Sequence, residues 1–144
     1  MQLPHDLQKF PQETLIIAAD SVMAKFFLAG GDSLEQIYAV EVPREKKQDN
    51  EGSFVSSDGS RVAGPVEEKD APRFKTFVKQ IATKTGELVR KHGMRQIDLV
   101  MPAEVAHSLV NELANDSKSL VGRTLHKDLM FEQPVEMVRH LLKV

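Results

Sequence analysis

The residues best suited to chemistry in this sequence are the lysines and arginines that cluster between positions 72 and 95. Seven cations stand there against one acidic residue, Glu87, in a chain of 144 residues whose net charge is −2. Such side chains bind phosphate groups through charge, and arginine adds a two-pronged hydrogen bond. With Arg61 upstream they form a candidate nucleic-acid-binding set, and the alternative is the solvated face of a helix. The candidate set is Arg61, Arg73, Lys75, Lys79, Lys84, Arg90, Lys91 and Arg95.

The segment before these cations, residues 44–71, has no hydrophobic periodicity. A connection of this length inside a domain is usually either functional or disordered. Its composition predicts a flexible loop, with residues 46–68 as the most mobile part of the chain. Such a loop could become ordered on a partner, and the alternative is a flexible loop without a function. The residues that mark it are Gly52, Asp58, Gly59 and Gly64.

Other chemistries have weaker patterns. Asp20, Asp98 and Glu104 flank predicted strands and could serve a two-metal nuclease, but Asp20 fits a turn equally well, so a divalent-metal nuclease is the third hypothesis. The histidines lack metal-ligand spacing, no serine stands in a Gly-x-Ser-x-Gly context, and there is no cysteine. We therefore expect no catalytic residue, no metal and no cofactor. The histidines are His5, His92, His107, His126 and His140.

The composition is that of one soluble globular domain. Hydrophobic residues make up 41% of the chain and charged residues 28%, and a chain of this length can bury a core without disulfides. The first residues lack the regions of a signal peptide, and the apolar runs are too short to span a bilayer. We expect a cytoplasmic protein that does not enter the membrane. Its domain is predicted over 14–144, preceded by a loose polar arm over 1–13.

The first half of the chain is predicted to form three consecutive antiparallel strands. The run Leu15–Ala19 is apolar throughout, which is typical of a strand buried on both faces. We expect this strand at the centre of the sheet. Strands over 23–29 and 34–42 follow, joined by a hairpin at Gly30-Gly31.

The second half is predicted to alternate helices and strands. A long amphipathic helix is expected from Pro72 to about His92, because proline suits a first helical turn and Gly93 a helix end. A strand over 97–101, a helix from Pro102, a loop over 115–118, a strand over 120–125 and a helix over 134–143 follow. The order βββαβαβα indicates an α/β fold with a mixed sheet covered on its faces. The long helix is expected to face the core with Phe74, Phe77, Val78, Ile81, Thr85, Leu88 and Val89.

Four local phrases carry a resemblance to a known family. They are the strand–turn–strand segment 15–27, the glycine-containing phrase 52–59, residues 99–102 (Leu-Val-Met-Pro) and the ending 121–144. In this order they resemble the bacterial family named for a protein required for attachment to host cells. That family is similar to the middle domain of archaeo-eukaryotic peptide-chain release factors and of the rescue factor Pelota. The resemblance implies a three-layer, ribonuclease-H-like fold with a five-stranded mixed sheet, and a link to the translational machinery.

Release factors carry a Gly-Gly-Gln tripeptide just before a basic helix that begins with small residues and Arg-Phe. Residues 71–74 (Ala-Pro-Arg-Phe) resemble that helix start, but residues 68–70 are Glu-Lys-Asp and the tripeptide is absent from the chain. The resemblance therefore does not imply peptidyl-tRNA hydrolysis. We expect a non-catalytic protein that binds the ribosome or structured RNA through the basic helix and the adjacent loop. The alternative is a host-attachment protein that acts through a protein partner.

Overall fold

A computed structural model describes residues 1–42 and 63–143, with the backbone alone at 63–71. In this part of the chain, five strands and four α-helices form an α/β fold of the predicted class, with the main elements in the predicted order. A four-residue helix, α3, replaces the loop predicted at 115–118. The strands are β1 (Phe10–Ala19), β2 (Met23–Gly31), β3 (Ser33–Glu41), β4 (Gln96–Val100) and β5 (Val121–Leu125), and the helices are α1 (Ala63–His92), α2 (Ala103–Glu112), α3 (Asn115–Lys118) and α4 (Pro134–Leu142).

The strands form one mixed sheet in the order β3-β2-β1-β4-β5. β1 is therefore the central strand, as predicted, and its residues 14–19 are all buried. The first three strands are antiparallel, whereas β4 runs parallel to β1 and β5 runs parallel to β4. The turn between β2 and β3 uses Gly31 at φ 55°, a conformation that glycine adopts without the steric cost of a side chain.

The two faces of the sheet build two separate cores. Leu15 and Ile17 on one face pack with residues of α1 and α2. Ile16 and Ala18 on the other face pack with α4 and with the N-terminal segment. This alternation follows the two-residue period of a strand, and it gives three layers, with α1 and α2 on one side of the sheet and α4 on the other.

Residues 1–13 do not form the loose arm that their polarity predicts. Leu3, Leu7 and Phe10 are buried, and β1 already begins at Phe10. The Leu34 N–H donates to the Met1 carbonyl at 2.9 Å, which fixes the first residues beside β3. Three apolar side chains are enough to hold this segment on the α4 side of the sheet, and average polarity does not reveal them.

Helix α1 begins at Ala63, so the start predicted at Pro72 is wrong. Proline removes one helical hydrogen bond and crowds the preceding turn, which favours a start at Pro72, yet here it lies within the helix. The predicted end is confirmed, because Gly93 has φ 63°. The Met94 N–H donates to the Val89 carbonyl at 3.1 Å, as in helices that end at a glycine.

The loop predicted over 44–71 is shortened by this helix. Its last residues, 63–71, which include Gly64, have a helical backbone. The remainder, with Gly52, Asp58, Gly59 and Arg61, lies outside the described residues, as does most of the segment predicted to be mobile. None of the helices described by the structure is both long and apolar enough to cross a bilayer.

Candidate functional site

Helix α1 packs one face against the sheet and leaves the opposite face at the surface. Phe77, Val78, Ile81 and Leu88 are buried in the core between α1, α2 and the sheet, as predicted. Thr85 is also buried, and its Oγ1 donates to the Ile81 carbonyl at 2.7 Å. The inward face is therefore apolar apart from one satisfied hydroxyl, and the cations of the helix are directed elsewhere.

Five exposed cations of α1 and of the turn after it form what we call the cationic surface: Lys75, Lys79, Arg90, Lys91 and Arg95. The first three lie on nearly the same side of the helix, because separations of 4 and 11 residues are close to whole numbers of turns. These three span about 22 Å along the helix axis at about 1.5 Å per residue. Within the described part of the chain, no hydrogen bond or ion pair engages any of the five side chains.

The negative charge nearest in sequence does not offset this surface. Glu87 is the one acidic residue between positions 72 and 95, and its Oε1 lies 3.0 Å from the Lys84 Nζ. The Arg90 side chain lies along the helix, since a Cβ on Gly86 would come within 3.4 Å of its Nη1. Arg90 and Lys91 also occupy the last turn of α1, where the helix dipole favours cations. The helix dipole thus accounts for two of the five cations but not for Lys75, Lys79 and Arg95, which lie outside the last turn.

Two cations of the predicted set are instead engaged within the molecule. The Lys84 Nζ lies 3.0 Å from Glu87 Oε1 and 4.1 Å from the centroid of the Tyr38 ring on β3. The hydrogen bond with Glu87 raises the pKa of Lys84 above its usual value of 10.5. Arg73 is half-buried and also takes part in an interaction within the molecule. The structure therefore separates Lys84 and Arg73 from the cationic surface, and Arg61 lies outside the described residues.

A groove of about 580 Å³ runs between α1 and β3. Because β3 is an edge strand, the groove opens at the margin of the sheet. Tyr38 is 42% exposed, and its ring meets Phe26 edge to face with the ring centroids 6.0 Å apart. Residues 38–41 line the groove from the strand, and Thr76, Lys79, Gln80, Thr83, Lys84 and Glu87 line it from the helix.

Asp98, one of the three carboxylates considered for a nuclease, takes part in a buried hydrogen-bond network. It lies on β4 with its side chain fully buried. Its Oδ1 accepts from Gln96 Nε2 at 2.7 Å and from the Arg123 N–H at 3.0 Å, and its Oδ2 accepts from Arg123 Nη1 at 2.9 Å. A carboxylate with three hydrogen-bond donors, one of them the guanidinium of Arg123, has its burial compensated within the molecule.

The other two carboxylates are held elsewhere. Asp20 Oδ1 accepts from the N–H groups of Val22 and Met23, both at 2.8 Å, which is the turn role considered for it. Asp98 pairs with Ile16 of β1, so Asp20 lies about 13 Å farther along that strand at about 3.3 Å per residue. Glu104 is exposed in the first turn of α2. The residues that the structure describes contain no group of three or more histidine, aspartate or glutamate side chains that could hold a metal.

A family model described as "Protein required for attachment to host cells" matches residues 15–141. The chain belongs to this family. The resemblance predicted from the sequence phrases is thereby confirmed over nearly the whole chain. Among curated proteins, none matches the sequence.

Two solved structures similar to this member of the host-attachment family have titles that refer to archaea. One, titled as the archaeal translation termination factor aRF1, has a TM-score of 0.48 and 15% identity, and the match covers 91% of this chain and 38% of the other. A second, titled only as an archaeal protein, has a TM-score of 0.46 and 15% identity, covering 91% of this chain and 36% of the other. The chain thus spans little more than a third of the length of either structure.

One exposed aromatic residue of this family member is not identified by the sequence patterns. Phe131, between β5 and α4, is 95% exposed. Its neighbour Met130 is buried, with its N–H donating to Asp128 Oδ1 at 3.2 Å and its carbonyl accepting from Lys25 Nζ at 3.4 Å. The preceding residue is thus anchored while Phe131 projects into solvent. The apolar run 129–131 signals a contact, but periodicity does not show which of the three side chains faces outward.

Proposed function

We propose that this host-attachment family protein binds structured RNA, free or within the ribosome, through the cationic surface of α1. The observation that carries the proposal is the set of five exposed cations without an ion-pair partner among the described residues. Unpaired lysine and arginine side chains on a helix packed against the sheet can bind phosphate oxygens without first breaking an internal ion pair. The local charge also stands out against a chain whose net charge is −2.

The contacts are expected with phosphates rather than with bases. Sequence-specific recognition of RNA usually stacks unpaired bases on aromatic side chains or reads their edges. Tyr38 is an exposed aromatic residue beside α1, and Lys84 covers its ring at 4.1 Å from the centroid. Binding through the cationic surface should therefore depend strongly on salt and weakly on sequence.

The test compares two variants that lose the same charge from different places. The surface variant changes Lys75, Lys79, Arg90 and Lys91 to glutamine. The matched control changes four exposed lysines that do not belong to α1 or to the turn after it to glutamine: Lys9, Lys118, Lys127 and Lys143. Both variants lose four positive charges, so a difference between them reports position rather than net charge.

Binding is measured by sedimentation with purified ribosomes and by fluorescence anisotropy with a labelled RNA hairpin. The slope of log affinity against log salt should fall by about 3 in the surface variant, because each lost phosphate contact removes about 0.7 to 0.9. Between 50 and 200 mM salt the parent should lose about 60-fold more affinity than the surface variant. Equal binding by the parent and the surface variant would overturn the proposal, as would an equal loss in the control.

A second candidate function, attachment to host cells through a protein partner, is favoured by the family description and by Phe131. Exposed aromatic residues are frequent anchors of protein interfaces. In a deletion strain of the encoding organism, complementation with Phe131→Ser should leave adherence to host cells impaired. Val22→Ser, at an apolar turn residue that is 51% exposed, is the matched control. Full adherence with Phe131→Ser would remove this role for the side chain.

A further inference from the structure

The outer side of β3 is paired only at its beginning in the described part of the chain. Gln2 forms an antiparallel bridge with Ser33, and the Leu34 N–H donates to the Met1 carbonyl at 2.9 Å. Beyond Leu34, β2 is the one strand that pairs with β3 among the described residues. An unpaired strand edge presents N–H and C=O groups that can bind a further strand.

The pairing with β2 shows which backbone groups of β3 face outward. The Val42 N–H donates to the Val22 carbonyl at 2.8 Å, and residues 38–41 pair with β2 in regular succession. Residues of an antiparallel strand face their partner strand and face away from it in alternation. Val42 and Tyr38 therefore face β2, and the N–H and C=O groups of Ala39 and Glu41 face away.

Helix α1 turns this open edge into a groove. The groove runs along residues 38–41 and is bounded on the other side by polar residues of α1 such as Thr76, Gln80 and Thr83. A strand edge beside a helix is an arrangement in which domains bind extended peptides by strand addition, where backbone hydrogen bonds give affinity and side-chain pockets give selectivity.

Among the described residues, the charge in this groove that lacks an ion-pair partner is positive. Lys84 is neutralised by Glu87 at 3.0 Å, whereas Lys79 has no ion-pair partner among the described residues. The side chains of Tyr38 and Val40 lie on the α1 side of the sheet. Glu41 follows Val40 directly in the strand, so its carboxylate lies on the opposite face. A bound segment with an acidic side chain near Lys79 complements this arrangement.

We propose that an extended acidic segment of a partner protein binds along β3 as a sixth strand, with its backbone bonded to Ala39 and Glu41 and a carboxylate facing Lys79. The main determinants of this peptide site are backbone groups of β3, whereas the proposed RNA contacts are made by side chains of α1. It does not depend on the RNA-binding proposal.

The probe is a fluorescein-labelled heptapeptide of alternating valine and glutamate, capped at both ends, added to the full chain. Two control peptides are the alternating valine–lysine sequence and the valine–glutamate sequence with alternate amides methylated. On the protein, Ala39→Pro removes one outward N–H, and edge strands tolerate proline at such positions. Ala39→Ser, which keeps the N–H, is the matched control variant.

The valine–glutamate peptide should bind, and both control peptides should bind at least 10-fold more weakly. Ala39→Pro should weaken binding at least 10-fold and Ala39→Ser should leave it unchanged, while the peptide slows amide exchange at positions 39 and 41. Slow amide exchange in the pairing between β2 and β3 would show that the Ala39→Pro variant is folded. If the variant does not fold, the methylated peptide tests the same backbone hydrogen bonds on the parent protein.

Three results would overturn the proposal. The first is no binding of the valine–glutamate peptide at millimolar concentration. The second is equal binding of the methylated peptide, or of a folded Ala39→Pro variant. The third is concentration-dependent dimerisation of the peptide-free protein that Ala39→Pro abolishes, which would assign the edge to a second copy of the chain.

Discussion

Loss of Arg123 should destabilise the fold more than loss of the Asp98 charge, although the two side chains form one ion pair. Arg123 Nη1 lies 2.9 Å from Asp98 Oδ2, and the exposed fractions of the two side chains are 35% and 0%. After Arg123→Met the carboxylate stays buried without its cation. After Asp98→Asn the guanidinium can turn toward water, because it already lies partly at the surface.

The size of the difference follows from what each substitution leaves behind. An uncompensated buried charge costs about 3–5 kcal/mol. Asp98 would keep its bonds from Gln96 Nε2 and from the backbone N–H of residue 123, which places Arg123→Met near 3 kcal/mol on that scale. Arg123 also lies 5.3 Å from the centroid of the Phe10 ring, a contact that adds about 0.5 kcal/mol to its loss. Asp98→Asn loses the bond from Arg123 Nη1, because the amide NH2 group that replaces Oδ2 cannot accept it, and this loss should cost about 1.5 kcal/mol.

Urea unfolding followed by circular dichroism measures these free energies for the parent, both single variants and the double variant. The double variant should be about as stable as Asp98→Asn or slightly less so, because Arg123 matters mainly by compensating the charge. The expected coupling, the excess of the summed single costs over the cost of the double variant, is about 3 kcal/mol, at an unchanged dependence on urea. If Arg123→Met costs no more than Asp98→Asn, the carboxylate reaches water in solution and the reasoning is wrong.

Two further outcomes are expected. Gly93→Ala should lower the free energy of unfolding by about 1 kcal/mol, because residue 93 has φ 63°, and the same urea experiment measures it. Glu87→Gln should lower the pKa of Lys84, measured by NMR titration of the ammonium group, because the hydrogen bond with Glu87 raises that pKa. A lysine whose pKa is raised by folding stabilises the fold below its unfolded pKa. The contribution of the Lys84–Glu87 pair should therefore be present at neutral pH and fade as the pH rises above about 10.5.

Local periodicity predicts the elements of the fold whose buried residues form a regular pattern within one segment of the chain. Leu15–Ala19 is apolar at every position, and it forms the buried end of the central strand because helices cover both sheet faces. The stripe of α1 also packs as predicted. The packing of Leu3 and Leu7 depends on contacts with residues distant in the sequence, which local patterns do not show. Helix α1 begins before Pro72, although a proline is typical of a first helical turn.

The same distinction holds for the candidate site. Sequence identifies a helix rich in cations, but it does not show whether Lys84 or Lys79 meets an aromatic ring. The structure separates them, because Lys84 lies over Tyr38, a residue that β3 brings from another part of the chain. The partners of Asp98 illustrate the same limit, since Arg123 reaches it only when β4 and β5 pair. Chemistry that depends on residue type could be predicted, whereas chemistry that depends on pairing between elements could not.

Lys79 belongs both to the cationic surface and to the groove beside β3, and this overlap has a thermodynamic consequence. If RNA and an acidic peptide both use its ammonium group, each ligand must weaken the binding of the other by the same factor. Addition of the valine–glutamate peptide should then lower the affinity for the RNA hairpin in the parent and have less effect in Lys79→Gln. Lys75→Gln, which removes a cation of the same surface that does not line the groove, should retain the competition. Competition of equal strength in the parent and in Lys79→Gln would place the shared contact at another residue.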